Sequence, residues 1–369
     1  MPSGPGHETP LAHEAPKPMF GQSGALASGK KSRFALFMLT TALRKFCWFL
    51  IVFLGITLVS FTVIHLAPGS PTDLETTMNP LADDAARQRL EAFYGLDQPL
   101  HTQYFNWLGR IATLDFGNSM SSDSRPVLEK IREALPVTIW LNVASLFLTL
   151  LLAIPLGVLA AKYKNRLFDK ATTLFVFIGF AMPGYWLALL LMLYFSIELQ
   201  WFPLSGLTSF TYDSMTSWGK IKDVAWHLAI PLFISVFGSL AGLSRYMRSS
   251  ILEVLRQDFI LAARAKGLPE RVVLFRHALG NALLPVITIL GLSIPGLIGG
   301  SVIIESIFAL PGMGQLFYKA VMARDYSLIM GNLVLGAWLT LVGNLLADLS
   351  YGLADPRIRT GIGAARANP

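Results

Sequence analysis

The sequence predicts an all-α, polytopic membrane protein with six transmembrane helices, and three observations carry that reading. Of 369 residues, 53% are hydrophobic and only 14% charged, where soluble domains carry about 25% charged residues; mean hydropathy is +0.53. Six apolar runs approach or exceed the length of about 20 residues that crosses a hydrocarbon core, at about 46–66, 137–160, 172–197, 226–246, 282–304 and 328–351. The segments between these runs alternate in charge. The one cysteine, Cys47, excludes an intrachain disulfide framework and any multi-cysteine metal site.

Residues 1–33 are rich in Pro, Gly, Ser and Ala without apolar periodicity, and read as a disordered cytoplasmic tail. Within them "GALASGKKS" (24–32) nearly matches the phosphate loop G-x-x-x-x-G-K-[ST]. Lys31 stands where Ser or Thr is required, no strand precedes it and no α/β unit follows, so the stretch reads as basic tail and not as a nucleotide site. The membrane domain occupies 34–360 and a short tail 361–369. The first run is too long, and too far from the start, for a cleaved signal peptide.

Loop charge sets the expected sidedness. The leading tail, the second loop (Lys162, Lys164, Arg166 and Lys170 against Asp169), the fourth loop and the end of the chain are basic. The long first loop carries more acids than bases, the third is slightly acidic and the fifth balanced. The positive-inside rule then puts both termini and loops two and four on the cytoplasmic side. Pro155, Pro183, Pro231 and Pro295 fall inside the runs and predict kinks. The pairs Gly238/Gly242 and Gly296/Gly300 predict close helix contacts. In loop one, 124–136 ("SRPVLEKIREALP") predicts an amphipathic lid or docking helix. At the fifth loop, 309–321 predicts a turn and helix at the outer face, with Gly312 and Gly314 permitting the turn.

The fourth loop, 247–281, is the most informative segment. With Arg245 at the end of the preceding run, it gathers Arg248, Arg256, Arg264, Lys266, Arg271 and Arg276 against Glu253, Asp258 and Glu270. Residues 250–266 hold strong helix formers without Gly or Pro, with Ile251, Leu255, Phe259 and Ala262 on one side. Gly267 ends that helix, and Pro269 and Glu270 open a second. A short helix pair with alanines at its tip suits a groove on a soluble partner; a solvated connector is the other reading of the same residues.

Within it, "AARAKG" and "HALGN" resemble the EAA loop of ABC-importer permeases: the triplet is Leu261-Ala262-Ala263, the glycine is Gly267, and Leu279-Gly280 stand at the Leu-Pro position. "HLAPGSP", "YGLDQPLHTQYFNWLGRIATLDFGNSM", "WFPLSG", "ESIFALPGMGQL", "RDYSLIMG" and "LADPRIR" extend the resemblance over about 40–360, in order, to the dipeptide/oligopeptide/nickel permease family, nearest its oligopeptide and microcin-C branch. The resemblance implies a type I importer bundle in a bacterial inner membrane and an ATPase-coupling loop containing Asp258, Ala262, Ala263, Arg264, Lys266, Gly267, Leu268, His277 and Asn281. It also implies partners: a second, homologous permease in a heterodimer, two cytoplasmic ATPase domains that bind the ATP and Mg, and a periplasmic or lipid-anchored binding protein. No cofactor on this chain and no nucleic-acid partner follow from it.

Among other polar residues, Asp348 is an acid inside the sixth run, with Asn344 one turn before it. A structural pair with a nearby Arg, or a place on the transport path, are the two readings. The six histidines form no H-E-x-x-H or paired spacing, so no metal site is expected. No nucleophile motif points to catalysis. The sequence therefore predicts a permease subunit importing short peptides by alternating access. The same machinery importing nickel or another small solute, and a stand-alone ion-coupled carrier using Asp348, are the alternatives.

Overall fold

The computed structural model describes residues 23–66, 88–89, 91–92, 95–293, 295–297 and 299–354. Among the described residues every regular element is a helix, and an isolated bridge between Asn118 and Pro126 is the only strand-like pairing. A boundary between two compact units falls inside the first helix, after Val52.

Helix α1 covers Ser23–Leu66. It begins inside the segment expected to be disordered: from Ser23 on there is no proline, and Ala25, Leu26 and Ala27 favour helix. The rest of the expected tail, 1–22, lies outside the described residues. Helix α2 (Leu100–Ala112) buries Trp107 and Ile111. Its Tyr104 meets the Phe61 ring edge-on at 5.3 Å and shares a 3.0 Å hydrogen bond with the buried Thr57 hydroxyl.

Helix α3 (Val127–Lys162) is one continuous rod, with Pro136 and Pro155 inside it. The expected lid at 124–136 is therefore largely its first turns and not a separate helix. Its buried stripe is mostly small and polar: Ala134, Thr138, Ser145, Thr149, Ala153 and Gly157. Small side chains let a neighbouring backbone approach, as in membrane bundles. The neighbour is α6 (Ser217–Val254), which makes the most extensive helix contact in the molecule. A Cβ on Gly157 would stand 2.6 Å from Met247 Cβ and 2.8 Å from the Ser244 carbonyl oxygen.

The third run is not one helix. Helix α4 (Leu167–Ala181) and α5 (Gly184–Leu191, continued by a π-helical stretch Met192–Glu198) bend by 97° at Met182-Pro183. Proline has no N–H to give to the preceding turn, and it forces Met182 extended, at ψ 122°. The fifth run starts earlier. Helix α7 (Asp258–Ala265) is followed by α8, which runs Glu270–Val272, through a π-helical stretch Val273–Ala278, to Leu279–Ala282; α9 (Leu284–Ser293) continues from it. The helical stretch here that is long and apolar enough to cross a membrane is Glu270–Gly291, which overlaps the expected 282–304 over 282–291. Past it the chain makes a 3-10 turn, Pro295–Leu297, then short α10 (Val302–Ile307), α11 (Met313–Met322) and α12 (Tyr326–Ala354). Among the described residues five helices are long and apolar enough to cross a membrane, six with the bent pair counted as one. Large apolar side chains such as Trp140 (70% exposed) and Phe177 (71%) face outward from them, as lipid-facing residues do.

The glycines that admit close approach are mostly other than those expected. A Cβ on Gly238 or Gly296 would meet nothing within 4 Å, and one on Gly242 only the tip of Phe180. Among the described residues Gly157, Gly300, Gly312, Gly314 and Gly331 are the ones with no room, so of the two expected pairs only Gly300 is closely packed.

Two apolar clusters mark the two ends. One joins Phe61, Trp107, Val127, Met313 and Leu328; the other joins Val158, Met247, Ile251, Ile260 and Val273. Loops one and five thus share one end, and loops two and four the opposite end.

Candidate functional site

The 247–281 segment folds as two helices, with boundaries other than the sequence suggests. Helix α6 ends at Val254 and Leu255–Gln257 form a turn, so 250–266 is not one helix. The buried face of α7 is Ile260 (0%) and Ala263 (6%), packed in the cluster of Val273, Leu274 and Ala278. Phe259, Leu261 and Ala262 lie on the opposite, exposed face. Ala263 is therefore turned into the bundle, and Ala262 is the small residue presented outward.

Helix α7 ends in a Schellman motif. The Leu268 N–H donates to the Ala263 carbonyl at 3.4 Å and the Gly267 N–H to that of Arg264 at 2.9 Å. Gly267 has φ +75°, the left-handed region that glycine enters without steric cost. A Cβ there would meet nothing within 4 Å, so conformation and not space demands the glycine. Across the turn, Arg264 grips Glu270 at two points, Nε to Oε2 at 3.2 Å and Nη2 to Oε1 at 2.6 Å. The Glu270 carboxylate holds the Arg264 guanidinium above its ordinary pKa. Asp258 stands in the first turn of α7, where a carboxylate suits the helix dipole, and Lys266 caps the end; both are exposed. Leu268 is 37% and Leu261 55% exposed, so the tip presents apolar side chains to solvent.

His277, half-buried, acts in α8 through its backbone: its carbonyl accepts Asn281 Nδ2 at 2.8 Å. Leu279-Gly280 lie inside the helix; a Leu-Pro pair follows at Leu284-Pro285, opening α9, where a first turn tolerates the missing N–H. Asn344 is exposed, and the Asp348 side chain lies outside the described residues, so their pairing is not described.

At the opposite end, Gly312 and Gly314 do something other than permit a turn. Gly312 is the extended N-cap of α11 (φ −106°, ψ −180°) and Gly314 lies in its first turn. Gly312 makes room for the carboxylate of Glu305, which is fully buried, and Gly314 for the Ser301–Val302 backbone. Thr138 Oγ1 donates to Glu305 Oε1 at 3.0 Å, and the Ser301 N–H donates to it at 3.2 Å. The N–H groups of Gly314 and Gln315 donate to Oε2 at 2.7 and 3.1 Å. Sequence reasoning passed over Glu305 because it falls just past the expected fifth span; an acid between "VII" and "SIF" was the available signal. It also passed over Asp169 and Arg248, which pair between α4 and α6 beside the paired-helix tip.

Residues 153–360 match the family described as the binding-protein-dependent transport system inner membrane component. Over 307 residues the chain is 45% identical to the oligopeptide transport system permease protein AppB of Bacillus subtilis, covering 83% of this chain and 95% of that protein. It is 35% identical to the di/tripeptide transport system permease protein DppB of Pseudomonas aeruginosa (87% and 99%) and 36% identical to the dipeptide permease protein DppB of Bacillus subtilis (86% and 97%).

Proposed function

The chain belongs to the family of inner-membrane components of binding-protein-dependent transport systems, and from that premise we propose that it is the permease subunit moving short peptides in an ATP-driven importer. The observation that carries the substrate class is the 45% identity, over 83% of the chain, to a protein named for oligopeptide transport. The paired-helix tip carries the mechanism. Phe259, Leu261, Ala262 and Leu268 offer a small apolar surface at the end of the bundle where the basic loops gather. Such a surface suits the groove of a soluble ATPase domain, which would bind the ATP and Mg. Two such domains and a second, homologous permease would complete the path, with a periplasmic or lipid-anchored binding protein at the end holding loops one and five. Both termini would be cytoplasmic by the charge rule. Closure of the ATPases would then push on α7 and rotate the bundles about the permease interface. A self-contained carrier has no use for such a tip.

The test is uptake of labelled di-, tri- and pentapeptides, and of labelled nickel, by host cells lacking the chain and by the same cells complemented with it. Loss and recovery of peptide uptake is expected. Unchanged peptide uptake with lost nickel uptake would replace the substrate class and keep the machinery.

A further inference from the structure

We propose that Glu305, working through Thr138, is a positioning residue that fixes outer helix α11 on span α3, and so sets how strongly loaded binding protein stimulates the partner ATPase. The inference rests on the functional reading above, which supplies the partners.

The geometry starts at the N-terminus of α11. A helix leaves its first N–H groups without internal partners, and the N-cap here, Gly312, has no side chain to offer. Two other elements supply what it lacks. Thr138, on α3, accepts the Met313 N–H at 2.8 Å, and Glu305, on α10, accepts those of Gly314 and Gln315. The Thr138 hydroxyl also donates to Glu305, so one relay runs from the α11 backbone through α3 to α10.

The site is cut to fit a carboxylate. A Cβ on Gly300, which sits at φ +67°, would stand 2.9 Å from Glu305 Oε1, and one on Gly312 would overlap Oε2 and Thr138 Oγ1. Donors face both oxygens: an N–H and a hydroxyl at Oε1, two N–H groups at Oε2. Glutamine has the same shape, but its NH2 would have to face at least one backbone N–H. Glu305→Gln therefore preserves packing and loosens the hold on α11.

What α11 gains is a fixed attitude relative to α3, and α3 is a single helix from Val127 to Lys162. Five turns past Thr138, its Gly157 lies against Ser244 and Met247 of α6, next to Arg248 and about two helical turns before the short turn that leads into α7. One continuous, close-packed element thus joins the outer helix to the tip proposed to meet the ATPase. On the other side of α11, a cleft of about 370 Å³ opens between it and the start of α3, lined by Lys130, Glu133, Gln315 and Lys319.

The experiment uses the full complex with its ATPase, second permease and binding protein, reconstituted in lipid nanodiscs. The variants are Glu305→Gln, Thr138→Val and Thr138→Ser. Three quantities are read: complex yield, ATPase activity without binding protein, and stimulation by peptide-loaded binding protein. The expected result is parental yield and unstimulated activity in all three. Stimulation should fall roughly fivefold or more in Glu305→Gln and Thr138→Val, the size of an ordinary coupling between sites. Thr138→Ser, which keeps the hydroxyl, should retain it. Parental stimulation in Thr138→Val overturns the proposal. So does a joint fall of yield and both activities in Thr138→Val, which would make the relay a fold element alone. Should Glu305→Gln fail to assemble, the two threonine variants decide. If the parental chain itself copurifies with no ATPase, the functional reading has failed and the proposal falls with it.

Discussion

Arg248 and Asp169 meet as a two-point ion pair, Nε to Oδ1 at 2.6 Å and Nη2 to Oδ2 at 2.8 Å. The Asp169 side chain is only 5% exposed, that of Arg248 27%. The Asn165 N–H adds a third bond to Oδ2 at 2.8 Å, and Asn165 itself takes the left-handed turn, at φ +65°, that returns the chain from α3 to α4. The pair therefore ties the first turn of α4 to the last turns of α6, immediately before the paired-helix tip.

Removing one partner of a buried pair costs roughly 3–5 kcal/mol, because the other charge is left stranded. The partial exposure of Arg248 places the effect at the low end. Arg248→Leu should lower the unfolding midpoint in detergent and the folded yield. Asp169→Asn should be milder, since its amide oxygen still accepts the Asn165 N–H. A double-mutant cycle on the two positions should give a clear coupling; an unchanged midpoint in Arg248→Leu would refute the role.

The sequence made the helical class legible through the apolar runs, whose burial requirement no other secondary structure in this composition meets. It did not reveal that the third run breaks. Pro183 marked a kink, but the 97° angle depends on what α4 and α5 pack against, Phe237 beside Gly179 being one contact. It began the fifth apolar helix later than the structure does because Arg271, Arg276 and His277 mask the apolar face of α8, whose Val273, Leu274 and Ala278 are buried between them. Alanines carry little periodic signal, so whether Ala262 or Ala263 faces outward was open until packing decided it. Glu305 could be read as an acid among apolar residues; its donors come from positions as far away as Thr138, and only the fold brings them together.

Sidedness follows from loop charge joined to the two-ended fold. Reporter fusions after Lys164 and after Ala265 should read cytoplasmic, and fusions after Asp97 and Asp213 external. An external reading at Ala265 would invert the arrangement and remove the tip from the ATPases.

The "SGKKS" stretch lies within α1, where the backbone N–H groups are committed to the helix and cannot cradle a phosphate. The purified chain should therefore show no ATP turnover by a coupled phosphate-release assay, and Lys30→Ala should change nothing. Turnover abolished by that substitution would contradict both the helix and the division of labour with partner subunits.

The tip between α7 and α8 gives the sharpest contrast, because adjacent residues make opposite predictions. Ala262 is exposed and Ala263 is buried at 6%. Ala262→Arg should leave the chain folded and inserted yet abolish ATP-dependent uptake and reduce ATPase recovery on copurification. Ala263→Arg drives a guanidinium into the cluster around Ile260 and Val273, so it should first lower the stability of the chain itself. Gly267→Asp forces a residue with a Cβ to φ +75°, which costs about 1–2 kcal/mol, and it should uncouple transport by re-aiming the turn. Arg256→Gln, exposed in the turn before α7 and away from the alanine face, should transport nearly as the parent does. Normal uptake with bound ATPase in both Ala262→Arg and Gly267→Asp would make the segment a connector between two spans.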